Sequence, residues 1–133
     1  MEWTCVSPDK EKAVCMMMQY LVEPNSRYTC LKPQGLDEER VYHFYNLEEK
    51  RRVMEFGSLV NMISPVHIKQ DSILHHAVDK FVKLPGEVEN VLATGGTLMY
   101  SGIKLKQGFA GTGLDENVRV YQDFGSRLYF MEG

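Results

Sequence analysis

Residues 13–22, AVCMMMQYLV, carry one polar side chain, Gln19, and are apolar everywhere else. A strand sends alternate side chains to opposite faces. As a strand, this run puts Val14, Met16, Met18, Tyr20 and Val22 on one side and Cys15, Met17 and Leu21 on the other. In a two-layer sandwich each strand has one face in the core and one facing out. A strand that is apolar on both sides is either central beneath a covering helix, or has its outer face against something outside this chain. The sequence leaves both open.

The flanking segments have the cadence of an antiparallel all-β fold. Trp3 to Ser7 alternates, and Ser7-Pro8-Asp9-Lys10 is a turn. Pro24-Asn25-Ser26 ends the apolar run, a short strand follows over 27–32, and Gln34-Gly35-Leu36-Asp37-Glu38-Glu39 turns the chain again. Val41-Tyr42-His43-Phe44-Tyr45 is rich in aromatic β-formers. Turns at this spacing predict an antiparallel sandwich or barrel.

The middle carries a different period. Val66 and Ile68 alternate with His67 and Lys69 as a short one-sided strand. Ile73, Leu74, Ala77, Val78 and Phe81 then fall on one helical face, with Asp71-Ser72 as a cap. This predicts one short helix near residues 72–82, stopped by Pro85-Gly86. Strands resume over 88–94, with Gly95-Gly96 as a turn. Ile103 and Leu105 alternate with Lys104 and Lys106, and closing strands cover 118–121 and 127–131. In the last strand Leu128 and Phe130 share one face, which reads as core, and Tyr129 lies on the other.

The length of 133 residues fits a single domain over 1–133 and is far short of the roughly 250 residues of a (β/α)₈ barrel. Fifteen Lys and Arg against eighteen Asp and Glu give a net charge of −3, so neither nucleic acid nor an anionic membrane is expected as a partner. The opening Met1-Glu2-Trp3 has no basic, then apolar, leader pattern. Three cysteines cannot all pair within the chain, and their spacings fit no zinc pattern. Free thiols and a cytoplasmic setting are the expectation.

The chemistry-bearing residues give no convincing catalytic set. His75-His76 with Asp79 has a metal-site look, but adjacent histidines do not converge on one ion, and an exposed polar edge is the expectation. His43 and His67 read as ordinary strand residues, and Met16-Met17-Met18 as strand core. Gly108-Phe109-Ala110-Gly111-Thr112-Gly113 lacks the glycine spacing and the following helix of a dinucleotide loop. Ser58 follows Gly57 without a G-x-S-x-G context. The carboxylates Asp9, Glu11, Asp37, Glu38, Glu39, Glu48 and Glu49 sit in predicted turns, where solvation is the default.

The order of several short motifs adds a resemblance that spans essentially the whole chain. Ser7-Pro8-Asp9 precedes the long apolar strand. Pro24-Asn25 follows it, and Leu31 leads through Gly35-Leu36-Asp37 to Tyr42. Near the end, Gly111-Thr112-Gly113 is followed by Gln122-Asp123-Phe124-Gly125-Ser126-Arg127-Leu128-Tyr129. This succession resembles the C-terminal domain of bacterial glycoside hydrolase family 36 α-galactosidases. FGSLVNMISPVHIK and GIKLKQGFAGTG in the middle are similar to the branch with the longer C-terminal domain.

The resemblance implies an accessory, non-catalytic, antiparallel Greek-key β-sandwich that packs on a catalytic barrel or a neighbouring subunit. It implies a parent enzyme that removes terminal α-galactosyl groups from sugars such as melibiose and raffinose, without metal or organic cofactor. The family's catalytic aspartates lie in Lys-Trp-Asp and Gly-Gly-x-Arg-x-Asp contexts on the barrel. Neither string occurs here, so no catalytic, cofactor-binding or metal-binding residue is carried over. The chain opens directly on a strand, as a piece of a longer protein would. The alternative from another class is a free-standing carbohydrate-binding module, with Trp3, Tyr42 and Tyr45 as sugar-stacking candidates. These rings alternate with polar residues as core residues do, which argues against that reading.

Overall fold

The computed structural model describes residues 1–21, 29–48, 50–52, 61, 65–69, 72–106 and 124–133, with 51, 52 and 83–85 as backbone only. The predicted strand over 118–121, the 108–113 loop, Ser58 and Glu49 lie outside the described residues. The chain forms two compact units, one of residues 1–47 and 87–133, the other of residues 48–86.

The first unit is an antiparallel all-β sandwich. β1 (Glu2–Val6), β2 (Lys12–Met18), β4 (Val41–Asn46), β7 (Asn90–Thr94) and β9 (Ser126–Glu132) form a five-stranded sheet in the order β1-β2-β9-β4-β7. β3 (Cys30–Leu31) pairs with β8 (Ile103–Lys104) in a second, two-stranded sheet. Cys15, Tyr42, Phe44, Tyr129 and Met131 from the first sheet share a core with Leu31, Leu36, Leu98, Ile103 and Leu105. Phe44 and Tyr129 stack within it at 5.3 Å between ring centroids.

Turn chemistry sets the first hairpin. The Lys10 amide donates to the Ser7 carbonyl at 2.9 Å, and Lys10 takes a positive φ of 57°. Asp9 Oδ1 accepts from the Ser7 hydroxyl at 2.5 Å and from the Glu11 amide at 3.0 Å. These donors hold the Asp9 carboxyl below its ordinary range. The buried Tyr42 hydroxyl then ties two turns together, donating to the Lys10 carbonyl at 2.6 Å and accepting from the Asp37 amide at 3.0 Å.

β9 is not a peripheral closing strand. It pairs with β2 on one side and β4 on the other. Its core face is Arg127, Tyr129 and Met131, so the expectation that Leu128 and Phe130 point into the core is corrected: both lie on the outer face. Gly95-Gly96 leads into a π-helical turn, Thr97–Ser101. Glycine is required at 95 because a Cβ there would sit 1.9 Å from the Asp37 carbonyl oxygen.

The second unit contains β5 (Lys50–Arg52) paired with β6 (Lys83–Pro85), and the predicted helix as α1 (Ile73–Phe81). Ser72 caps α1, its side chain accepting from the His75 amide at 3.2 Å. The helix ends at Phe81, and Pro85 ends β6 rather than the helix. Residues 66–69 are not a strand. There the Asn61 side chain takes the place of a neighbouring strand: Oδ1 accepts from the Ile68 amide at 2.6 Å and Nδ2 donates to the Ile68 carbonyl at 2.9 Å.

The predicted burial of α1 is inverted. Ile73 is 90% exposed, Phe81 82% and Leu74 50%, while His75 and Asp79 are buried. The expectation of an exposed polar edge therefore holds for His76 alone.

Candidate functional site

Strand register assembles an apolar outer face on the five-stranded sheet. Trp3, Met16 and Leu128 form one cross-strand row. Cys5, Val14, Phe130, Tyr45 and Asn90 form the next, and Lys12, Glu132, His43 and Leu92 the one after. Two rows are thus dominated by apolar and aromatic groups, and the third supplies a charged margin. Trp3 is 40% exposed, Leu128 44% and Leu92 71%; Val14, Met16, Tyr45 and Phe130 are half-buried. An apolar centre with aromatic residues and methionine, edged by charge, is the composition of a protein-docking surface. Within β2, Ala13, Cys15 and Met17 face the core, while Val14, Met16 and Met18 lie on the outer side.

The rings on this face pack on one another. Tyr45 stacks with Phe130 at 5.5 Å and with His43 at 4.9 Å. The Tyr45 hydroxyl donates to Glu132 Oε1 at 3.3 Å, and His43 Nε2 lies 2.9 Å from Asn90 Oδ1. Burial, and then the Glu132 charge, raise the Tyr45 phenol above its usual range. A sugar-stacking platform needs free ring faces, and these are turned against each other. Of the three stacking candidates, Tyr42 is fully buried, and Trp3 and Tyr45 sit on the outer face rather than in the core.

A second cluster lies inside the same unit. Arg127 Nε is 3.4 Å from Glu87 Oε2, and Arg127 Nη2 donates to the Glu87 carbonyl at 3.2 Å. The Tyr129 hydroxyl lies 3.4 Å from both Glu87 carboxylate oxygens. Asn46 Nδ2 donates to the Glu87 carbonyl at 2.9 Å, and Asn46 Oδ1 accepts from the Glu89 amide at 2.6 Å. Glu89 Oε1 accepts from the Lys106 amide at 2.6 Å. Glu87 and Glu89 are thus two buried carboxylates committed to internal donors. Such an arrangement fixes the β4, β7 and β9 ends; it offers no open pair for acid/base work on a glycoside. Sequence reading missed both, because a Glu-Val-Glu string ahead of a strand reads as solvated, whereas here Val88 is exposed and the glutamates are inside.

The other candidates stay apart. Asp9, Glu11, Glu38, Glu39 and Glu48 are exposed, and Asp37 is half-exposed. His67 is exposed. Among the described residues, no three of His, Cys, Asp and Glu come together as metal ligands. Cys5 is exposed, Cys15 buried and Cys30 half-buried, all three as free thiols. Burial raises the Cys15 thiol pKa, and Thr4 Oγ1 donates to its sulfur at 3.4 Å. Among the described residues, no helix is long and apolar enough to cross a membrane.

The family model of the glycosyl hydrolase family 36 C-terminal domain matches residues 1–131. The chain belongs to this family. The similar solved structures include the α-galactosidase from Lactobacillus brevis, at 18% identity and a TM-score of 0.52. That match covers 98% of this chain but 11% of the other, and it shows a shared fold. A search of the curated proteins gives no match.

Proposed function

We propose that this chain is the non-catalytic C-terminal β-sandwich of a larger cytoplasmic α-galactosidase, and that its outer sheet face packs on the remaining domains. The parent hydrolyses terminal α-galactosyl groups of oligosaccharides such as melibiose and raffinose. It does so with retention, through two carboxylates about 5 Å apart, carried outside this chain and needing no metal or organic cofactor.

The observation that carries the reading is the family match over residues 1–131, in a chain that spans 11% of the α-galactosidase it resembles. The apolar rows Trp3–Met16–Leu128 and Cys5–Val14–Phe130–Tyr45 support it, because a face of this kind is stabilised by being covered. The exposed free Cys5 suits a reducing compartment. The position of β9 between β2 and β4 supports a Greek-key path.

The test is incubation of the 133-residue chain and of the full polypeptide with a chromogenic α-galactoside. The full polypeptide turns over and the chain alone does not. Turnover by the chain, abolished by substitutions within it, would overturn the reading.

A further inference from the structure

The helix α1 carries a further apolar surface. Ile73, Ala77 and Phe81 are spaced i, i+4, i+8 and form one stripe, with Leu74 beside it; all four are exposed. On the opposite side His75 and Asp79 are buried, and neither is free of a partner. Amphipathic surface helices do the reverse, turning the apolar stripe inward and the polar residues to water. The orientation is not a fraying effect, because the helix is capped at both ends: Ser72 accepts from the His75 amide, and the Val82 amide donates to the Val78 carbonyl at 2.7 Å.

We infer that the Ile73–Ala77–Phe81 stripe is a docking ridge for an apolar, helix-lined surface of another domain of the same polypeptide. The inference rests on the proposed accessory-domain reading. Area decides the occupant. Nine residues make a helix about 14 Å long and 10 Å wide, a footprint of roughly 140 Å². Even doubled for the relief of the side chains, this is well below the ~800 Å² that each partner buries in a stable complex of free molecules. A second copy meeting the chain through this helix alone would not hold. A tethered partner would, because a covalent link supplies millimolar-range effective concentration and lowers the area needed. Ala77 between Ile73 and Phe81 leaves a depression flanked by two knobs, the relief that a crossing helix fills with one large residue. His76 and Lys80 border the stripe on its wet side.

The test compares thermal melting of three proteins, each as the 133-residue chain and as the full-length enzyme: the parent, Ile73→Asp/Phe81→Asp, and Leu128→Asp on the sheet face. The helix pair should melt within ~2 °C of the parent in the 133-residue chain and at least about 5 °C below it in the full-length enzyme. An equal loss in both would show that the stripe packs within this chain and overturn the inference. No loss in either would also overturn it. If Leu128→Asp lowers the full-length melting temperature while the helix pair does not, the helix inference alone fails. If neither variant affects the full-length enzyme, the proposed packing of the outer sheet face on the remaining domains fails with it. A concentration-dependent dimer of the 133-residue chain, abolished by the helix pair in sedimentation, would replace the tethered partner with a second copy.

Discussion

Arg127 and Glu87 meet inside the sandwich, Nε to Oε2 at 3.4 Å, with side chains 4% and 0% exposed. At that separation the contact is an ion pair rather than a tight hydrogen bond, and its surroundings complete it. Tyr129 and Asn46 supply further donors to the same glutamate. Breaking a buried pair from one side leaves an uncompensated charge, which costs about 3–5 kcal/mol, whereas replacing both partners by apolar groups is often close to neutral. Arg127→Leu should therefore destabilise the chain by that amount in urea denaturation, and Arg127→Leu/Glu87→Leu should recover most of it. A single substitution costing under about 1 kcal/mol would mean that Glu87 is satisfied without Arg127.

The central position of β9 predicts the outcome of truncation. Removing residues 126–133 would strip Tyr129 and Met131 from the core and separate β2 from β4. Each large buried side chain is worth roughly 2–5 kcal/mol, and a domain's whole stability is about 5–15 kcal/mol. A chain ending at Gly125 should be insoluble or unfolded by circular dichroism. One lacking Glu132 and Gly133 alone should fold. Cooperative melting of the Gly125 form within a few degrees of the parent would contradict the sheet order.

Thiol chemistry separates the three cysteines. Titration in denaturant without reductant should find three thiols per chain. Under native conditions Cys5 should react first and Cys15 last, because Cys15 is buried and its thiol pKa is raised. One thiol in denaturant would mean a disulfide.

The first turn should weaken in acid. Ser7 and the Glu11 amide favour the charged form of Asp9, so its folded pKa is below the unfolded one. The stabilisation is complete above the unfolded pKa and is lost as pH falls through the lowered folded value. Asp9→Asn should be less stable than the parent at neutral pH, with the difference disappearing in strong acid. A pH-independent difference would point to packing rather than charge.

How far the sequence could be read depended on which force decided each element. Alternation located β1, β4 and β9, and periodicity with the Ser72 cap located α1, because backbone geometry and side-chain period are local. Burial direction was not local. Trp3, Leu128 and Phe130 look like core residues because they are apolar, yet they lie on the outer face of the five-stranded sheet. α1 fails in the same sense, with Ile73 and Phe81 outward and His75 and Asp79 inward. The buried Glu87 and Glu89 were illegible because their donors, Arg127, Tyr129 and the Lys106 amide, come from distant sequence.

Cys5 provides the most direct test of the docking account, because it lies within the apolar outer face beside Val14 and Trp3. Its alkylation rate should be measured under native conditions in the 133-residue chain and in the full-length enzyme. Labelling should be rapid in the chain and slower by about two orders of magnitude in the enzyme, where the face is covered and opens only by local fluctuation. Equal rates in the two proteins would show that the outer face is not the docking surface.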